Sequence, residues 1–211
     1  MFNYLIFDVD GTILDTEAAI LKSLQHVLAS EGKEYQTEEL RFALGIPGKE
    51  TLRRLHVTDV ERVHSKWSNT VLAFSKEVQV FKEIEEILTD LFNKHVKMGI
   101  VTSKTQQEMK DEFAPFGLND FFQFTINADD TENHKPYPDP LLACLDGLDA
   151  SQHDAIYIGD SIYDMQCAKS AGVKFALALW GAKTVEGFES ADFILENPKD
   201  ILTLIENEND E

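Results

Sequence analysis

Lysine and arginine are scarce in this 211-residue chain: 19, against 38 aspartates and glutamates, for a formal net charge of −19. That balance argues against nucleic acid or an anionic membrane as partner, since both demand a positive surface. Cysteine is nearly absent. Cys144 and Cys167 form neither a metal-binding nor a redox spacing, so no disulfide framework is expected, and both thiols should stay reduced in a cytoplasmic protein. No apolar run approaches the length of a membrane span, and the N-terminus reaches Asp8 without the basic leader of a signal peptide. Internal repeats are missing, and the one low-complexity stretch, Glu206 to Glu211, reads as a frayed, solvated tail. What remains, 43% hydrophobic and 27% charged, is ordinary for a globular protein with a substantial core.

Asp8 and Asp10 follow the apolar run Tyr4-Leu5-Ile6-Phe7 and precede Gly11-Thr12. Strand alternation puts both acids on one side, at the mouth of a loop. Such a pair is costly unless a cation neutralises it or a proton is shared. An ordinary Asp-Gly turn would explain the pair equally well if it stood alone. Three later segments change that. Gly99 to Val101 is an apolar strand ending in the hydroxyls Thr102 and Ser103, before Lys104. Lys135 is held in a loop stiffened by Pro136, Pro138 and Pro140. Ile156 to Ile158 ends in Gly159, Asp160 and Ser161, with Asp164 one helical turn on. Parallel sheets present ligands at the carboxyl ends of their strands, so these groups can meet at one edge.

Helical spacing marks Ile20, Leu24, Val27 and Leu28, a helix from Thr37 to Leu44, and one after Asp59 carrying Val60, Val63, Trp67, Val71 and Phe74. From Thr16 to about Phe81 the chain reads as almost entirely helical. Beyond Phe81, helix and strand alternate. Helices are expected over 84–91, 106–113, 141–148 and 165–171, and strands over 96–101, 124–127, 155–158, 174–179 and 192–195. Pro198 opens a last helix. Alternation of this kind predicts a parallel sheet covered on both faces.

Taken in order, Asp8-Val9-Asp10-Gly11-Thr12, Thr102, Lys135-Pro136, and Gly159-Asp160 with Asp164 resemble the four motifs of the haloacid dehalogenase superfamily of phosphotransferases. Nearly the whole chain is covered. The likeness is greatest to the phosphoglycolate phosphatase-like branch, which carries a small helical C1 cap after the first motif. The resemblance implies an α/β, Rossmann-like three-layer sandwich with a parallel sheet, plus an inserted all-helical cap. Residues 1–15 and 82–211 would form the core and 16–81 the cap. It also orders the two acids, which spacing alone cannot do: Asp8 is the nucleophile and Asp10 the general acid and base.

The roles that follow are those of aspartyl-phosphate chemistry. Asp8, Asp160 and the backbone carbonyl of Asp10 would hold Mg²⁺, whose hard oxygen ligands suit carboxylates. Thr102, Ser103 and Gly11 would receive the phosphate, Lys135 would neutralise it, and Asp164 would bind a metal-bound water or hold Lys135. Helix capping by Gly-Asp-Ser is an alternative reading of Asp160 and Asp164 that can hold alongside, with metal binding the main role of Asp160. Gly45, Pro47, Lys49, Arg53 and Arg54 are candidates for substrate choice in the cap, where solvated helix cations are an equal alternative. Trp67 and Trp180 read as core and His134 as a loop residue. The expected partner is a small phosphorylated metabolite, acted on by a monomer or weak dimer.

Rival readings stand beside this one. Inorganic pyrophosphate is a near alternative substrate. Mutases resembling β-phosphoglucomutase usually carry a histidine where this chain has Ile20, which weakens that case. Receiver-type regulatory proteins use a similar Asp, Thr and Lys set but are shorter and lack a helical insert. A catalytically idle protein on the same fold would have no need of the full set.

Overall fold

The computed structural model describes residues 1–205; the acidic run from Glu206 lies outside them. Six strands form one parallel sheet in the order β5-β4-β1-β6-β7-β8: β1 Tyr4–Phe7, β4 Lys97–Val101, β5 Phe124–Ile126, β6 Ala155–Gly159, β7 Lys174–Ala178 and β8 Phe193–Leu195. β1 lies between β4 and β6, with Phe7 opposite both Ile100 and Ile158. The residue after each strand therefore arrives at the same edge. That register is what brings Asp8, Thr102 and Asp160 together from three distant stretches of sequence.

Alternation along the strands sorts the core into two layers. Leu5, Phe7, Met98, Ile100, Ile156 and Ile158 face one side, against Ile87, Leu88 and Leu91 of α4 (Ile84–Asn93). Ile6, Val101 and Tyr157 face the other, against α6 (Asp139–Leu148) and α7 (Ile162–Ala171). The result is the expected three-layer α/β arrangement. Cys144 and Cys167 are free and buried in the second layer.

The insert builds its own apolar cluster. α1 (Glu17–Ser30), α2 (Gly48–Arg54) and α3 (Val60–Ala73) pack Leu24, Leu28, Leu52, Val63 and Trp67 together, with Leu40 from the segment between α1 and α2. The stretch read as almost entirely helical over 16–81 ends in a short strand. β2 (Leu14–Asp15) pairs antiparallel with β3 (Gln79–Val80), Leu14 opposite Val80. Two-residue strands carry too little periodicity to be read from sequence.

Other departures concern helix type. Thr37–Ala43 and Pro198–Leu204 are 3₁₀ segments. The stretch expected as one helix over 106–113 is a single α turn, α5 (Gln106–Glu108), that widens into a π turn at Met109–Phe113. Strand β7 ends at Ala178 because Leu179 already begins the short helix α8 (Leu179–Ala182).

Candidate active site

Three acids and a lysine meet where β1 and β6 end. Carboxylate oxygens of Asp8, Asp160 and Asp164 all lie within 4.8 Å of one another. The Lys135 ammonium sits 3.0 Å from Asp8 Oδ1 and 2.7 Å from Asp164 Oδ1, and is 3.2 Å from the Tyr157 hydroxyl. Asp8 and Lys135 are 2% and 4% exposed, so neither charge is relieved by water. Burial pushes the Asp8 carboxyl well above the usual range, helped by Asp164 and opposed by Lys135. Burial does the same to Asp160, again with Asp164 adding to it. Burial works against the charged Lys135, but Asp164 and Asp8 outweigh it and hold the amine protonated.

Asp164 serves as a support. Its Oδ2 accepts from the Ser161 amide at 3.0 Å and the Ser161 hydroxyl at 2.6 Å, while Oδ1 takes Lys135 and, at 2.9 Å, the Tyr157 hydroxyl. Helix capping and site support are therefore the same set of bonds: Ser161 and Asp164 close a capping box at the start of α7 and leave Oδ1 for the lysine. Of the two roles expected for Asp164, it is holding Lys135 that these contacts express.

The donor set suits a hard divalent cation. With all three carboxylates ionised, one ammonium would leave two negative charges to compensate in a buried pocket, which a divalent cation would do. Asp8 and Asp160 each commit one oxygen within the protein, Asp8 Oδ1 to Lys135 and Asp160 Oδ1 to the Thr12 hydroxyl at 3.2 Å. Asp8 and Asp160 are thus the side chains fitted to hold the ion, with Asp164 behind them.

Asp10 stands apart from this cluster. Its Oδ1 lies 3.1 Å from the ammonium of Lys104, which in turn lies 2.6 Å from Glu112 Oε2. Gly11 also differs from expectation. Its amide donates to Leu14 O at 2.8 Å and is thus engaged within the turn. Its contribution is space: at φ +74°, a Cβ there would stand 2.1 Å from Asp160 Oδ2. Thr102 is buried at the end of β4, its hydroxyl accepting from the Lys104 amide at 3.2 Å. Ser103 reaches across to the insert, donating to Gly45 O at 3.1 Å.

A cavity of about 60 Å³ opens between this edge and the insert, with Asp8, Asp10, Ser103 and Lys104 on the core side. Gly45, Ile20, His64, Trp67 and Ser68 form the facing wall. Gly45 has φ +85°, and a Cβ there would lie 2.6 Å from Ser161 Cβ, so the loop is pressed against the core. Of the other candidates in the insert, Pro47 borders a separate outer hollow, Lys49 pairs with Glu61 at 2.7 Å, and Arg53 stands 3.6 Å from Glu50 on the surface. Arg54 donates to the Tyr163 hydroxyl at 2.9 Å, tying α2 to α7.

The sequence reading passed over Lys104, Glu108, Glu112, His64, Ser68 and Tyr157. A lysine directly after the Thr-Ser strand end was the one available signal for Lys104. Trp67, read as core, also walls the cavity, its indole N–H donating to Ser23 Oγ at 2.9 Å.

Comparison with known proteins agrees with this geometry. The sequence profile of the haloacid dehalogenase-like hydrolases matches residues 5–178. The chain belongs to that family. It is therefore an enzyme of the phosphatase kind found there, and the six-stranded parallel sheet is that family's core. Pyrophosphatase PpaX of Bacillus cereus is 29% identical over 212 residues, covering 98% of each chain. A provisionally named pyrophosphatase PpaX of Caldanaerobacter subterraneus is 30% identical over 205 residues, 95% of this chain and 93% of that one. Among solved structures, a provisionally assigned phosphoglycolate phosphatase of Lactobacillus plantarum superposes with a TM-score of 0.89 at 26% identity, over 97% of this chain and 99% of that one.

Proposed function

We propose that this haloacid dehalogenase-like hydrolase cleaves a small phosphate monoester of the phosphoglycolate kind through an aspartyl-phosphate on Asp8. The observation that carries the reading is the buried cluster in which Lys135 joins Asp8 to Asp164 while Asp160 stands beside them. In the first step an Asp8 oxygen bonds to phosphorus as the bond from phosphorus to the leaving oxygen breaks, and Asp10 gives that oxygen a proton. In the second, Asp10 takes a proton from water, the water oxygen bonds to phosphorus, and Asp8 is released. Lys135 offsets charge on the phosphoryl oxygens, and Thr102 and Ser103 supply hydroxyl and amide donors at the end of β4. Mg²⁺ held by Asp8, Asp160 and the Asp10 carbonyl would supply the remaining charge neutralisation.

The insert over 16–81 acts as a lid whose loop at Gly45 closes the cavity and limits the leaving group to a small one. Pyrophosphate is the second reading. The PpaX relatives favour it, and the same small cavity accommodates a leaving phosphate. A mutase is disfavoured by Ile20, which lines the cavity and brings no group able to move a proton. On this reading the enzyme works in the cytoplasm, as a monomer or weak dimer, on a small phosphorylated metabolite; the acidic composition and the lack of a membrane-spanning helix among the described residues support it.

Phosphate release from phosphoglycolate, pyrophosphate and p-nitrophenyl phosphate, ranked by kcat/KM in Mg²⁺, tests the reading. Turnover is expected to vanish with EDTA and to fall by at least about 10³-fold in Asp8→Asn, since loss of a nucleophile removes the covalent route. Undiminished release by that variant would falsify the assignment of Asp8. Faster interconversion of glucose 1-phosphate isomers than phosphate release would put the mutase in its place.

A further inference from the structure

Lys104 is 6% exposed, and a buried ammonium is costly unless it is paired. It is also fixed along its whole length. Its amide donates to Thr102 Oγ1 at 3.2 Å, its carbonyl accepts from the Ala128 amide at 2.7 Å, and its ammonium bonds Glu112 Oε2 at 2.6 Å. From that fixed position the ammonium stands 3.1 Å from Asp10 Oδ1. The contact is one of charge alone: Asp10 Oδ1 is buried and makes no hydrogen bond. A carboxyl group turns broadly about its last torsion when nothing holds it. Lys104 is the cation beside this one, and both groups line the cavity in which the leaving group would sit.

The turn after β4 is built to serve this contact. α5 and the π turn following it carry Glu108 and Glu112, and both acids also line the cavity. Glu108 accepts from the Ser68 hydroxyl of the insert at 3.0 Å, and Glu112 holds Lys104. Glu112 holds the ammonium by the shorter contact, 2.6 Å against 3.1 Å to Asp10, so the cation is anchored on one side while it faces Asp10 on the other.

We propose that Lys104, anchored by Glu112, is a positioning residue that holds the carboxyl group of Asp10 where it hands a proton to the leaving oxygen. This rests on the reading of Asp10 as the proton donor given above. It goes further by assigning a task to a lysine and a glutamate that the aspartyl-phosphate scheme does not use.

The test is leaving-group dependence of kcat/KM, which reports only the steps up to departure of the leaving group. Proton donation matters for an alkoxide and little for a nitrophenolate. Lys104→Met is expected to lose at least about tenfold more kcat/KM on β-glycerol phosphate than on p-nitrophenyl phosphate, a part of the roughly 10²–10⁴-fold that general acid catalysis contributes. Removing the lysine leaves buried acids unpaired and can weaken folding, so Glu112→Gln is measured in parallel, with urea midpoints for both. Glu112→Gln keeps the ammonium but loosens its anchor, and should show the same selectivity at smaller size. Equal losses on the two esters in both variants would overturn the proposal, as would a rise in KM alone, which would make Lys104 a substrate-binding cation. Asp10→Asn sets the reference. If it shows no leaving-group dependence in an otherwise active enzyme, the proton-donor assignment fails and takes the positioning role with it. An active wild type with a selective Asp10→Asn and an unselective Lys104→Met overturns the positioning role alone.

Discussion

Two glycines show how tightly the site is drawn. Gly11 leaves room for the Asp160 carboxylate, and at Gly181 a Cβ would stand 1.7 Å from the Gly11 carbonyl oxygen. The backbone at Gly11 is thus confined between an acid on one side and α8 on the other. Gly11→Ala meets both a left-handed φ and a collision with Asp160. A loss of about 2 kcal/mol in folding stability is expected, within the usual cost of such strain. The Mg²⁺ concentration for half-maximal activity should rise as well, because the displaced group is a proposed metal ligand. Urea unfolding and a Mg²⁺ titration of activity check the two effects separately. Unchanged Mg²⁺ dependence in a folded variant would remove Asp160 from the metal site.

At the scale of elements, ends matter more than middles. The capping box that starts α7 also aims Asp164 at Lys135, so a routine helix start has become part of the site. A second example lies at the far edge of the sheet. Asp192, just before β8, bonds Lys169 of α7, Lys174 of β7 and the Phe175 amide. Burial pushes its carboxyl up, but these three partners outweigh burial and hold it down to about 2, against an ordinary value of 3.8. A carboxyl lowered by folding stabilises the native state above its unfolded value, and that contribution is lost as pH falls towards its folded value. Asp192→Asn should therefore be less stable than the parent at pH 6, and the gap should close between about pH 4 and pH 2. Chemical denaturation of both proteins across that range measures it; a gap independent of pH would mean that the pairings contribute through shape and not charge.

Across the whole molecule, the net charge of −19 works against compactness while the site gathers still more negative charge. Salt that coordinates no carboxylate should then raise the urea midpoint, because screening weakens the repulsion between surface acids. Potassium chloride is the suitable probe. Mg²⁺ should add a further increase that Asp160→Asn removes, which separates site binding from screening. The insert and the core keep separate apolar clusters and meet over the cavity through Ser103 with Gly45 and Ser68 with Glu108. Polar bonds of this kind across the cavity are the physical basis for reading the insert as a lid.

Sequence alone determined the parallel α/β core and put Asp8, Thr102 and Asp160 forward as neighbours, because each signal is local: an apolar run of strand length ends in a functional group, and strand ends in parallel sheets converge. The same locality explains Gly45, which marks its own turn. Tertiary structure alone decided which groups those residues touch. Glu112 carries no pattern of its own and Lys104 only its place after the Thr-Ser strand end, and their meeting with Asp10 depends on β4 lying beside β1 and on a turn that widens at Met109. Lys49 and Arg53 looked equal to any other cation until the fold paired them with Glu61 and Glu50 on the surface. Spacing fixes which side of its own strand or helix a residue takes, but partners across the molecule are set by register and packing, which no single stretch of chain contains.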